Sequence, residues 1–308
     1  MKNVIYHYCS LDTFNIIMRN KTIRLSDITK SNDSKEKQLI YDHLRSAIDQ
    51  AFGEIKLSVR AMDPIETGFA EGYTYLDFFR KDLLEVSNQS SLVACFSRDG
   101  DLLSQWRGYA NDGCGFAIGF DKMLLEQYLR RDERFRVEGI KYDAEGQLRM
   151  IDNDVKEAFL DCVEWNGLDL DFSKYIGIFN DEIDDISYDL AERLDVTSCL
   201  MKNQTFQEEN EVRIIFSSGI GINTDQTRIE KKIVGTTKLC LKDVDYLVRN
   251  NQLVLYADMS FKNALPDRLI KDIIIGPKVN MTVEEVKNYL WICGYEDINV
   301  RKSYCTYR

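Results

Sequence analysis

The sequence predicts an α+β protein: one sheet whose strands are interrupted by two helical insertions. Three observations predict it. Short stretches rich in Val, Ile, Phe and Tyr recur along the chain, among them VIYHYC, SLVACFS, CGFAIGF and IKDIIIGP. Longer stretches with apolar residues three or four apart separate them, over approximately 37–90 and 144–205. No internal repeat and no Gly/Ser linker divides the 308 residues, so 1–308 reads as a single domain.

In order, VIYHYC alternates as a strand, and SLDTFNIIMRN follows as a helix with Ser10 as N-cap and Leu11, Phe14, Ile17 and Met18 on one stripe. TIRLS is a second strand. Ile40, Leu44, Ile48, Phe52 and Ile55 predict a helix over 37–60 and a further one is expected over 74–87, with Pro64 and Gly68 marking the break. SLVACFS then reads as a buried strand, DLLSQWRGYA as a short helix, and CGFAIGF and VEGIKYD as strands. Ile176, Phe179, Ile183, Ile186, Leu190 and Leu194 mark the clearest amphipathic helix, whose acidic face, including Asp189, Glu192 and Asp195, is expected to be solvated. TTKLCL, QLVLYAD and IKDIIIGP are strands, Val283–Cys293 a helix and INVRKS a last strand.

Composition narrows the function. Forty basic against 51 acidic side chains give a net charge of −11, which repels a phosphate backbone and disfavours broad coating of nucleic acid. The eight cysteines stand singly, without the close pairs that grip zinc or form a redox couple, and read mostly as small core residues. Without a secretory signal or a membrane-length apolar run, the expected compartment is a reducing cytoplasm. Only His7 and His43 carry imidazoles, so a multi-histidine metal centre is excluded.

The stretch QEENEVRIIF, 207–216, crowds three glutamates and an arginine. Read as a strand, it places Glu209, Glu211 and Arg213 on one face and Val212, Ile214 and Phe216 on the other. Such a set is often no more than an exposed ion pair. Crowded like charges are costly, however, and gather at functional sites. His7 shares a strand face with Ile5 and Cys9 and alone would be a hydrogen-bonded core histidine. Trp106 and Tyr109, three apart on a helix, fit inward packing equally well. Gly113, Gly115 and Gly119 suit tight turns and close packing rather than a dinucleotide fingerprint, and Arg24 reads as a surface arginine or a phosphate contact.

CFSRDGDLLSQWRGYANDGCGFAIGFD, with YHYCSLDTF, KSNDSKE, ENEVRIIF, DIIIGPK and KSYCTYR, resembles a bacterial family catalogued as domain-of-unknown-function family 2971, nearly end to end. NDSKE departs from the proline-containing form of that loop, around Asn32 and Asp33. A second resemblance is confined to short motifs. The tyrosine-histidine strand followed by a helix and a short strand is similar to the start of ADP-ribosyltransferase folds of the His-Tyr-Glu type, which implies a split β-sheet core. That likeness implies NAD as the substrate: His7 on a ribose hydroxyl, an aromatic stacked on nicotinamide (Tyr109 first, Trp106 second, Phe96 also near the place), Ser97 bracing the glutamate, and Glu211 as that glutamate. Glu209 would orient or deprotonate the acceptor, and Arg24 would meet a phosphate.

The chemistry suits the residue types. Cleaving nicotinamide from ribose passes through an oxocarbenium-like state that a nearby anion stabilises, and the leaving group departs from a cationic form, so one carboxylate suffices. The expectation is an NAD-consuming enzyme, an ADP-ribosyltransferase or NAD glycohydrolase of toxin or defence type, acting on NAD and a protein or nucleic-acid acceptor. Two alternatives stand beside it: a metal-dependent nuclease using Glu209, Glu211 and Asp33, and a non-catalytic ligand-sensing or interaction protein.

Overall fold

The computed structural model describes residues 3–30, 91–165, 180–217, 240–241, 244–249, 251–264 and 266–307. The expected helices over 37–60 and 74–87, the loop around Asn32 and Asp33, Ile176, Phe179 and the first part of TTKLCL lie outside the described residues.

Among the described residues eleven strands form one mixed sheet in the order β11 (Asn299–Lys302), β10 (Ile270–Ile275), β4 (Phe116–Asp121), β1 (Val4–Cys9), β3 (Leu92–Ser97), β2 (Thr22–Asp27), β9 (Gln252–Ser260) and β7 (Cys240–Leu241), with β6 (Glu211–Phe216) beside β3, β5 (Phe135–Gly139) beside β6 and β8 (Asp245–Arg249) beside β9. Strand β1 (Val4–Cys9) leads into helix α1 (Leu11–Asn20). Ser10 caps that helix, its Oγ accepting from the Thr13 amide at 3.2 Å. Phe14, Ile17 and Met18 are buried as the stripe predicts, but Leu11 is exposed because the first turn overhangs the core. The chain continues through β2 (Thr22–Asp27), β3 (Leu92–Ser97), α2 (Leu103–Tyr109) and β4 (Phe116–Asp121). Two left-handed residues, Asn111 and Asp112, and Gly113 at φ 86° reverse the chain after α2. Gly115 is required by proximity, since a Cβ there would lie 2.1 Å from the Cys9 carbonyl oxygen.

Helix α3 (Lys122–Leu129) has no counterpart in the sequence reading; Asp121, at the end of β4, starts it by accepting from the Leu124 amide at 3.1 Å. The expected strand VEGIKYD is displaced: β5 runs Phe135–Gly139, and Lys141 makes only an isolated bridge to Met201. Two long helices follow, α4 (Ala144–Trp165) and α5 (Asn180–Ser198). Asp195 is not on a solvated face as expected; it is buried, and Ser91 donates to it. Beyond them come β6 (Glu211–Phe216), β7 (Cys240–Leu241), β8 (Asp245–Arg249), β9 (Gln252–Ser260), the short α6 (Pro266–Leu269), β10 (Ile270–Ile275), α7 (Val283–Ile292) and β11 (Asn299–Lys302). β8 and α6 are further elements the sequence pattern does not announce. Among the described residues no helix is long and apolar enough to cross a membrane.

The main core lies on one sheet face, where Ile5, Cys9, Ala94, Phe96, Val212 and Ile214 meet α1, α3 and α7. The other face carries Tyr6, Tyr8 and Trp106 in one cluster and Val93, Cys199 and Ile215 in another.

The sheet opens at β3. One edge of this strand pairs with β6 along its full length, from Leu92 opposite Phe216 to Ser97 opposite Glu211. The other edge meets β1 only at Tyr6 opposite Ser97, and β2 only at Ser26 opposite Val93 and Asp27 opposite Leu92. Between those contacts the β3 edge has no strand partner among the described residues, so β1 and β2 diverge around a gap.

Candidate functional site

A cleft of about 580 Å3 occupies this gap. His7, Tyr109, Glu209, Glu211 and Arg24 all line it, together with Lys202 and Cys95. Side-chain alternation puts His7 on the sheet face of Ile5 and Cys9, opposite the face bearing Glu211 and Arg213. They meet in one cavity because β1 leaves β3 after the Tyr6–Ser97 pair.

His7 bonds the otherwise unpartnered β3 edge: its Nδ1 lies 2.9 Å from the carbonyl oxygen of Cys95. A carbonyl only accepts, so Nδ1 carries the proton and Nε2 is the acceptor of the neutral ring. Crowding by protein lowers the histidine pKa, and the bond to Cys95 offsets this only in part. The Phe96 ring stands 5.6 Å away, tilted at 57°.

The acidic stretch folds differently from a continuous strand. Gln204–Glu209 is a 3-10 turn capped by Asn203, Asn210 is left-handed at φ 44°, and β6 begins only at Glu211. Glu209 is therefore off the strand, while Glu211 and Arg213 do share a face. That face is not open to water. Arg213 is 1% exposed and Glu211 5% exposed. The guanidinium donates from Nε to Glu211 Oε1 at 2.7 Å, from one terminal nitrogen to Oε2 at 3.2 Å, and from the other to the Cys199 carbonyl at 2.8 Å. The expected surface ion pair is a buried, bidentate one, because the end of α5 and the turn after it cover this side of the sheet.

Lys202 completes the cluster, and no sequence pattern marked it. Its Nζ donates to Glu209 Oε2 at 2.6 Å and to Glu211 Oε2 at 3.0 Å, and it stands 4.9 Å above the Phe206 ring. Burial alone would raise the Glu211 pKa; Arg213 chiefly, then Lys202 and the Cys95 thiol, outweigh it and hold the group at about 2. The same carboxylates hold the Lys202 pKa well above its ordinary value against its own burial. Tyr109 donates to Glu209 Oε1 at 3.1 Å, and burial pushes its phenol pKa up. The Glu211 amide donates to the Tyr142 hydroxyl at 2.9 Å, fixing the start of β6.

The aromatic pair on α2 divides. Tyr109 is 37% exposed on the cleft, whereas Trp106 is fully buried, its indole donating to Asp101 at 2.8 Å and its ring edge-on to Tyr8 at 4.9 Å. Trp106 thus holds the helix and presents no face to the cavity. Ser97 also stands behind the cleft: its Oγ donates to the Glu209 carbonyl at 2.7 Å and accepts from the Asp99 amide at 3.1 Å, so it braces the backbone of Glu209 rather than the carboxylate of Glu211. Arg24 is tied to Asp258 by two bonds of 2.8 and 3.0 Å across the β2–β9 pair and stacks on Tyr256 at 3.7 Å.

Of the six cysteines whose burial is described, Cys9 and Cys199 are buried in the core and Cys293 and Cys305 pack against it partly buried, whereas Cys95 and Cys114 are exposed. Cys95 reaches solvent at the cleft, yet the protein around it and Glu211 raise its pKa well above the ordinary value, so it stays a thiol. Among the described residues no three His, Cys, Asp or Glu side chains form a metal-binding group. Asp33, the third ligand of the nuclease reading, lies outside them.

Fold and site together define a mixed α+β protein with a large central sheet and a charged, aromatic-flanked cleft where that sheet opens. Residues 105–214 match the model of a family described as Protein of unknown function (DUF2971), a span that runs from within α2 through Lys202 into the Glu211 strand and is shorter than the end-to-end resemblance of the motifs. No curated protein and no solved structure matches the chain.

Proposed function

We propose that this cleft binds NAD and cleaves its nicotinamide–ribose bond on an ADP-ribosyltransferase-like scaffold. One observation carries the reading: His7, Tyr109, Glu209 and Glu211 line a single cavity although they come from three separate segments of the chain. The opening between β1, β2 and β3 supports the split-sheet likeness.

In this reading Tyr109 stacks on the nicotinamide ring and the neutral His7 accepts from a ribose hydroxyl at Nε2. The C–N bond breaks heterolytically, and its electron pair goes to the ring nitrogen, so nicotinamide leaves neutral. Positive charge spreads over the ribose C1′ and ring oxygen, where the fixed charge of Glu211 stabilises it more than in the ground state. Glu209, with a side chain 12% exposed against 5% for Glu211, is the more accessible base. It takes the proton of water or an acceptor group as that oxygen or nitrogen bonds to C1′. Arg24 flanks the cleft on β2 as a partner for a phosphate.

The metal-nuclease reading fits the cluster less well. The Lys202 ammonium already bridges Glu209 and Glu211, where a divalent ion would have to bind, and bringing one in would set two cations side by side.

The deciding experiment measures nicotinamide release from NAD by the purified protein. The wild type is expected to release it, and Glu211→Gln to lose at least about a hundredfold in rate with an unchanged circular dichroism spectrum. No release by folded wild type, or undiminished release by the variant, overturns the proposal.

A further inference from the structure

Lys202 lies on no helix or strand, yet its backbone is held from two sides. Gln147, buried on α4, donates from its side-chain nitrogen to the carbonyls of both Lys141 and Lys202 at 2.9 Å, and the Lys202 amide donates to the Lys141 carbonyl at 3.2 Å. This support aims one ammonium, 6% exposed, at two carboxylates that reach it from different elements, Glu209 from the 3-10 turn and Glu211 from β6. Arg213 is bidentate to Glu211, whereas Lys202 touches both acids.

We propose that Lys202 is the positioning residue of the cleft, an internal cation that spaces Glu209 and Glu211 and lets the two acids stand side by side as anions. Without it, neighbouring carboxylates take up a shared proton at higher pH, as like charges at close range do. Among the described residues the other titratable and charged groups facing the pair are Arg213 on β6, Cys95 on β3, Tyr109 on α2 and Tyr142 after β5; His7 on β1, Arg24 and Asp27 on β2, Arg249 on β8 and Asp258 on β9 line the same cavity. Arg213, a second cation at the pair, donates to Glu211 and to the Cys199 carbonyl. The catalytic consequence rests on the NAD reading above: the acid limb of nicotinamide release is set by this lysine.

The test uses full-length protein labelled with carbon-13 at the glutamate side-chain carboxyls. Wild type, K202M, K202R, E209Q and K202M/E209Q are titrated by NMR without NAD, and nicotinamide release is followed over the same pH range. In K202M the coupled pair is expected to take up its first proton about one pH unit or more above wild type. K202R and K202M/E209Q should lack that shift, and the acid limb of kcat/KM should move with it in K202M. An unchanged titration in K202M, or a shift that persists in K202M/E209Q, overturns the proposal. Should K202M fail to fold, folding of K202M/E209Q supports charge spacing, and its failure to fold assigns the lysine to packing instead. If wild type releases no nicotinamide, the NAD reading falls, while the titration still judges Lys202.

Discussion

The Nδ1 of His7 donates to the carbonyl oxygen of Cys95 across the gap where β1 and β3 have separated, a side chain taking the place of a missing ladder bond. This bond fixes the tautomer, while crowding by protein, only partly offset by the bond itself, lowers the imidazole pKa below 6.5. Because the folded value lies below the unfolded one, the unfolded chain binds the extra proton. The stability contributed by neutral His7 is therefore present above about pH 6.5 and is lost as pH falls through the folded pKa. NMR titration of the two histidines, with His43→Gln to assign them, should show His7 titrating below its ordinary value. A His7 midpoint at or above 6.5 contradicts this.

Arg213 carries a different kind of load. It is the bidentate partner of a carboxylate that is almost wholly buried, so Arg213→Met removes the main counter-charge of Glu211 and is expected to cost roughly 3 kcal/mol in urea unfolding. Arg213→Met with Glu211→Gln should recover much of that loss, because the buried charge disappears with its partner. Equal destabilisation in the single and double variants would show that packing, not charge, is at stake.

Tyr109 can be divided into ring and hydroxyl. Tyr109→Phe removes the bond to Glu209 and keeps the stacking face; Tyr109→Ala removes both. If the ring holds nicotinamide, KM for NAD should rise about tenfold or more in the alanine variant, as loss of base stacking does elsewhere, and change little in the phenylalanine variant. A KM unaffected by Tyr109→Ala places the nicotinamide elsewhere.

Asp154 on α4 offers a stability test remote from the cleft. Burial raises its pKa from 3.8 to about 6, and its Oδ2 has no hydrogen-bond partner among the described residues. Here the folded value lies above the unfolded one, so stability is greatest below the unfolded pKa and declines as pH rises through about 6. Asp154→Asn should stabilise the protein by of order 1–2 kcal/mol above about pH 7 and have little effect below about pH 4. Melting curves at the two pH values measure the difference.

Much of the architecture is legible in local pattern. VIYHYC, LVACFS, FAIGFD and IKDIII form strands because their alternation or apolar runs match a buried sheet, and Ser10 and Asp121 start helices through bonds made within three residues of themselves. Asp121 also shows the limit of the method. The cap is there in the sequence, but the short helix behind it lacks a long apolar stripe. β8 is similarly silent, since an edge strand of mostly exposed residues carries little periodic signal.

The sequence by itself determined a sheet-based α+β protein, the identity of most of its strands, and a concentration of acid at 208–211 that called for an explanation. Tertiary structure decided what that acid meets. A left-handed Asn210 takes Glu209 off the strand, the divergence of β1 from β3 lets residues from opposite sheet faces share a cavity, and Gln147 aims Lys202 at both carboxylates. Each depends on contacts between segments far apart in the chain, and neither hydrophobic period nor residue spacing encodes those distances.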